Sequence, residues 1–189
     1  MGERYAETES RVLARDCDAV SVPWGRPETL PEGAHALVTQ RLGGSITVMC
    51  GGNLYRIAER DADALGLEPR AAAPRSAPAE GELDADTVER SAWEVLGTCY
   101  DPEIPIDIVN LGLVYGCTAE ALPEGGFRLA VRMTLTAPGC GMGTLIADEA
   151  REKLLELPGV TEATVELAWD PPWSREMMSE AARLEMGMF

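Results

Sequence analysis

An α+β chain in two parts is what this sequence predicts, and three observations predict it. Residues 69–82, Pro-Arg-Ala-Ala-Ala-Pro-Arg-Ser-Ala-Pro-Ala-Glu-Gly-Glu, are rich in Pro and Ala and lack apolar periodicity, the composition of a semi-extended linker. Before it, short runs with β-branched residues are separated by glycine pairs. After it, stretches of helical spacing alternate with stretches of period two. The expected organisation is a small β-rich module over 1–68, the linker, and a domain over 83–189. That domain reads α-β-β-α-β-α, a small sheet packed by helices.

In chain order, the first module holds Ala36-Leu-Val-Thr-Gln, Ser45-Ile-Thr-Val-Met-Cys50 and Leu54-Tyr-Arg-Ile57 as strands. Gly43-Gly44 and Gly51-Gly-Asn53 are hairpin punctuation, and Asp61-Ala-Asp-Ala-Leu-Gly66 predicts a single helical turn. These strands suit a small barrel-like or meander module. The second part opens with Asp86 and, three residues on, Glu89, the spacing of a capping box. Val88, Ala92, Val95, Leu96 and Cys99 then share one helix face, and Asp101-Pro-Glu-Ile-Pro105 stops the helix. A strand is expected over 111–117. A second follows in which Phe127, Leu129, Val131, Met133 and Leu135 alternate with Arg128, Ala130, Arg132, Thr134 and Thr136. Met142, Leu145, Ile146, Ala150, Leu154 and Leu157 define the next helix, ended by Pro158-Gly159. Ala163, Val165, Leu167 and Trp169 mark one face of a third strand, and Asp170-Pro-Pro-Trp173 precedes a last helix over 174–186.

Bulk properties narrow the function. The 32 acidic and 16 basic residues leave a net charge of −16, which excludes nucleic acid as the natural partner. The same charge disfavours anionic membranes. No stretch approaches the length of a membrane span and no apolar leader opens the chain, so a cytoplasmic protein is expected. Cys17, Cys50, Cys99, Cys117 and Cys140 are odd in number, widely spaced and form no CxxC, which fits reduced thiols rather than a disulfide frame or zinc ribbon.

Cys140 is the most informative of them. It lies in Thr134-Leu-Thr-Ala-Pro-Gly-Cys-Gly-Met-Gly-Thr144, between an alternating strand and an amphipathic helix. The first turn of a helix has unpaired N–H groups and a positive dipole end, both of which favour a thiolate. A thiolate attacks electrophiles and binds soft metals. Gly139 and Gly141 let the backbone approach a ligand and leave the thiol little steric cover. Thr134 and Thr136 share the more polar strand face, and Asp101-Pro102-Glu103 displays two carboxylates on a rigid turn. Each has a plainer reading: Asp101 as a turn residue, the threonines as strand formers, Cys140 as a small hydrophobe. Cys99 falls on an apolar helix face and belongs to the core, and Trp93, Trp169 and Trp173 are expected there too, with Trp24 and Trp173, which flank prolines, open to partial exposure.

Asp101-Pro-Glu-Ile-Pro-Ile-Asp-Ile-Val-Asn-Leu-Gly-Leu-Val-Tyr115, followed by Met133-Thr-Leu-Thr-Ala-Pro-Gly-Cys140, resembles the iron–sulfur cluster assembly domain family, PaaD-like and MIP-type. Trp169-Asp-Pro-Pro-Trp173, the chain end, and Val38-Thr-Gln-Arg-Leu-Gly-Gly-Ser-Ile-Thr-Val48 are similar to its SufT-type branch. The resemblance implies an auxiliary factor in iron–sulfur protein maturation, without catalytic turnover, that helps deliver clusters to acceptor proteins. It implies that Asp101, Glu103, Thr136 and Cys140 are signature residues, with Cys140 the reactive thiol. Many relatives carry Pro after that cysteine where this chain has Gly141, a looser turn. No stably bound cofactor is implied; Cys140 would be a transient ligand to an iron–sulfur cluster or iron. Partners would be assembly proteins and acceptor apo-proteins, with a homodimer as one way to complete a ligand set. The alternatives are a protein-interaction scaffold within the assembly machinery and a thiol-dependent enzyme. The enzyme is disfavoured because His35, the sole histidine, lies in the other module.

Overall fold

The computed structural model describes residues 9–70, 83–137 and 142–188. They divide into two compact units, one of residues 9–70 with 102–105, the other of the remaining described residues. The fold is α+β, as the sequence predicts.

The first unit is a six-stranded antiparallel sheet. Its strands are β1 (Glu9–Val12), β2 (Cys17–Val22), β3 (Arg26–Leu30), β4 (His35–Leu42), β5 (Ser45–Cys50) and β6 (Asn53–Ala58), in spatial order β1-β4-β5-β6-β2-β3. A 3-10 segment, Glu59–Leu65, follows. The expected meander is β4-β5-β6. Leu42 pairs with Ser45 and Cys50 with Asn53, so each glycine pair is a two-residue turn with both φ values positive (64° and 86°; 57° and 84°). Only glycine adopts that geometry freely, and its twist matches the flanking strands. β1 and β3 remain edges, so the sheet is open by pairing rather than closed into a barrel. Ile46, Val48 and Ile57 are wholly buried beneath it. The sequence places a short strand near Cys17, where β2 begins, but does not mark β1 or β3. β1 and β3 are short, largely exposed edge strands, and Pro27 sits on one of them, where no ladder donor is needed.

The second unit consists of α1 (Ala85–Leu96), β7 (Val114–Ala121), β8 (Phe127–Met133), α2 (Met142–Leu155), β9 (Val160–Leu167) and α3 (Glu180–Glu185). β8 is central, antiparallel to β7 and parallel to β9, with α2 as the crossover the parallel pair requires. α1 packs against β7 and α2 against β9. Leu129, Val131 and Met133 are buried while Ala130 and Arg132 are exposed, as the alternation predicts. No helix among the described residues is long and apolar enough to cross a membrane.

Four local readings are corrected. The N-cap of α1 is Asp84, not Asp86: its extended backbone lets the side chain accept from the Thr87 N–H at 2.8 Å. Asp86 sits inside the first turn, where its charge still meets the positive end of the helix. Residues 111–113 form a turn rather than the start of β7, because Leu111 N–H donates to Asp107 O and Leu113 N–H to Ile108 O. The last helix is broken into a 3-10 turn, Arg175–Met177, and α3, since Met178 is extended and buried and Ser179 caps α3 by accepting from Ala182 N–H. Trp169 is 46% exposed and Trp93 and Trp173 are half-buried, rather than core.

That C-terminal strap is tied to the turn before β7. Ser179 N–H donates to Asn110 O at 2.9 Å, Trp173 Nε1 to Leu111 O at 2.8 Å, and Tyr115 Oη to Pro171 O at 2.7 Å. Gly112, at φ 71°, lies directly under the strap: a Cβ there would stand 2.2 Å from Met177 O. Gly112→Ala should therefore cost about 3 kcal/mol, combining left-handed strain with overpacking against backbone. Gly125→Ala, at φ 92° with nothing within 4 Å, should cost about 1 kcal/mol by the strain alone. Urea denaturation of the two variants checks the difference.

Candidate functional site

Where α1 ends, the chain doubles back in a short clip. Cys99 O accepts from Ile108 N–H at 2.9 Å, Tyr100 faces Asp107 in an antiparallel bridge, and Asp101 N–H donates to Ile106 O at 3.3 Å. Residues 102–105 leave the clip at Asp101 and re-enter at Ile106. Pro102 and Pro105 fix φ at both shoulders of this loop. Asp101 is half-buried and Glu103 exposed, so the two carboxylates expected at the site are carried by one constrained loop.

The threonines separate. β8 ends at Met133, and Thr134 is only 1% exposed, with its N–H donating to Leu113 O at 2.7 Å. Its Oγ1 is buried with no hydrogen-bond partner among the described residues. The shared polar face expected for Thr134 and Thr136 is thus corrected: Thr136 is exposed and Thr134 lies inside. Strand alternation would have carried Thr134 onto the open face, but the strand stops one residue earlier. Leu135 is buried against the start of α2, where a Cβ on Gly143 would stand 2.1 Å from Leu135 Cδ1. Gly139, Cys140 and Gly141 lie outside the described residues. In sequence Cys140 stands two positions before Met142, the first residue of α2.

Sequence reading assigned no role to Asp107. Its Oδ1 accepts from Val109 N–H at 3.0 Å and Asn110 N–H at 2.8 Å, and its Oδ2 from Asn110 Nδ2 at 2.7 Å. The signal available was Asp followed three residues later by Asn ahead of Gly112, a pattern of turn-forming side chains. Among the described residues no group of three or more His, Cys, Asp or Glu side chains is arranged to hold a metal ion.

The profile of a family described as iron–sulfur cluster assembly protein matches residues 89–166, most of α1 through β9. The Fe-S protein maturation auxiliary factor SufT of Staphylococcus aureus is 44% identical over 88 residues, 47% of this chain and 96% of that protein. The chain belongs to the iron–sulfur cluster assembly protein family. The Fe-S protein maturation auxiliary factor YitW of Bacillus subtilis is 42% identical over 103 residues, 54% of this chain and 97% of that protein. A solved domain of unknown function, DUF59, from Bacillus anthracis is 36% identical, covers 56% of this chain and 96% of its own, and has a TM-score of 0.49. Each match accounts for about half of this chain.

Three of the described thiols, Cys17, Cys99 and Cys117, are buried, which makes them poor nucleophiles in this family member. Burial, reinforced by the nearby charge of Glu89, pushes the Cys117 thiol up to about 11. Burial likewise raises Cys17, with Asp61 adding to the effect. Cys99 is wholly buried, as its place on the apolar face of α1 predicts. The folded protein keeps Cys117 protonated to higher pH than the unfolded chain, in which it titrates near 9.0. Stability should therefore fall as pH rises from about 9 to about 11, because only the unfolded state releases that proton. Chemical denaturation across this range should show a shallower fall for Cys117→Ala than for the parent.

Proposed function

We propose that this chain acts in the cytoplasm as an auxiliary factor in iron–sulfur protein maturation, passing clusters to acceptor apo-proteins through the Cys140 thiolate. Its membership of the family carries this reading, together with its near-complete coverage of two Fe-S protein maturation auxiliary factors. The cluster is cargo. A cluster takes four protein ligands, so one thiolate per chain holds it incompletely and can release it to the cysteines of an acceptor. A second copy sharing the cluster is one way to complete the set in transit. Gly139 and Gly141 flank Cys140 in sequence without side chains of their own, and Asp101, Glu103 and Thr136 supply oxygen atoms that orient a partner or bind iron weakly. Thr134, being buried, is not a contact residue. The partners are assembly proteins and acceptors, and the chain needs no turnover of its own. The sole histidine, His35, begins β4 of the first unit, so the second unit contains no Cys–His pair.

One observation favours the scaffold as a second reading. Trp169 is 46% and Leu184 54% exposed, large apolar side chains of the second unit open to a partner. The two readings part in a deletion strain. Cys140→Ala should fold with an unchanged melting temperature and leave a [4Fe–4S] enzyme at the activity of the deletion, while Trp169→Ala should restore it. Full activity with Cys140→Ala and loss with Trp169→Ala would replace the thiol with the scaffold.

A further inference from the structure

The clip that carries the acidic loop is built around a carboxylate outside the proposed site. Asp107 is 9% exposed, and its side chain accepts three hydrogen bonds, one from Val109 and two from Asn110. Its backbone supplies the middle rung of the clip, opposite Tyr100. Its carbonyl accepts from Leu111 N–H at 2.9 Å, closing a single helical turn whose free N–H groups its own carboxylate caps. One residue therefore fixes both the closure of the clip and the direction in which the chain leaves it. Residues 102–105 hold two prolines and join the clip at 101 and 106, so the rungs there fix where the loop bearing Glu103 leaves and re-enters and hold the Asp101 backbone.

We propose that Asp107 is a positioning residue for cluster delivery: it touches neither cluster nor acceptor, and presents Asp101 and Glu103 by holding the clip closed. This rests on the reading that those two carboxylates serve the delivery site. Hydrogen bonds to a buried carboxylate are among the stronger ones, and losing the acceptor orphans its donors. The pairing with Asn110 is also directional, amide NH2 to carboxylate, which makes it open to exchange.

Three variants of the full chain test this. Asp107→Asn keeps an oxygen for the two backbone donors but sets an NH2 against the NH2 of Asn110. Asn110→Asp sets two carboxylates together. The double exchange restores a donor facing an acceptor. Hydrogen exchange of the Asp101 and Ile108 amides reads the clip, and recovery of a [4Fe–4S] enzyme in a deletion strain reads function. Each single variant should speed exchange of both amides about tenfold and slow enzyme recovery severalfold, and the double should bring both back toward the parent. A loosened clip with full recovery of the enzyme, or an unchanged clip in the single variants, overturns the proposal. So does a double variant with a restored clip and no recovery. If the single variants fail to fold, the double decides alone by the same two readouts. Cys140→Ala run beside them separates the causes. Full recovery there removes the delivery reading itself, whereas its failure beside active, loosened Asp107 variants removes only the positioning role.

Discussion

Asp107 lies where the chain passes from α1 into the sheet, and a buried carboxylate cannot sit there without partners. It finds them in Val109, Asn110 and the Asn110 amide, and the turn so formed sets everything on either side. Upstream, the rungs from Cys99 to Ile108 close a clip from which the Asp101 and Glu103 loop departs. Downstream, Leu113 O is delivered to Thr134 N–H, which registers β7 beside the end of β8. The carbonyls of Asn110 and Leu111, turned outward by the same bend, receive Ser179 and Trp173 of the C-terminal strap. Gly112 completes the arrangement because the strap leaves no room for a Cβ. The clip, the strand register and the strap thus meet at the turn that this satisfied acceptor closes.

The thiols divide by environment. Cys99 and Cys117 serve the apolar core of the second unit, Cys17 that of the first, and burial keeps Cys17 and Cys117 protonated. Desolvation penalises a thiolate wherever no positive charge or N–H donor offsets it. Transfer chemistry calls for the opposite setting, a thiolate near solvent beside free N–H donors. That contrast is why the delivery reading rests on Cys140 and not on any of these.

What could be read in advance followed from local physics. The turns at Gly43-Gly44 and Gly51-Gly52 were legible because positive φ is needed at two successive positions, and the buried face of β8 because alternation is a two-residue pattern. Edge strands β1 and β3 bury too little to leave such a pattern. Asp84 and Asp86 both satisfy the chemistry of a cap, and sequence alone does not choose between them. Thr134 was misread because alternation says nothing of where a strand stops, and the last helix because its break comes from docking on Asn110 and Gly112, sixty-odd residues away. The turn bearing Asp101 and Glu103 after α1 was legible from its two prolines. Asp107 was not, since its partners are visible only once the turn is folded. Gly139, Cys140 and Gly141 fall outside the described residues, so their role stands on the sequence and the family.

The central claim is that Cys140 is a poised thiolate and that the buried Cys17, Cys99 and Cys117 are not. Alkylation of the reduced, native protein over a pH series, read cysteine by cysteine in a mass spectrometer, tests it directly. The account predicts that Cys140 labels rapidly well below the ordinary thiol pKa of about 8.5, while Cys17, Cys99 and Cys117 stay unlabelled. If Cys140 labels no faster than a free thiol, or does not label at all, delivery through that sulfur is contradicted and the protein must act through its surface.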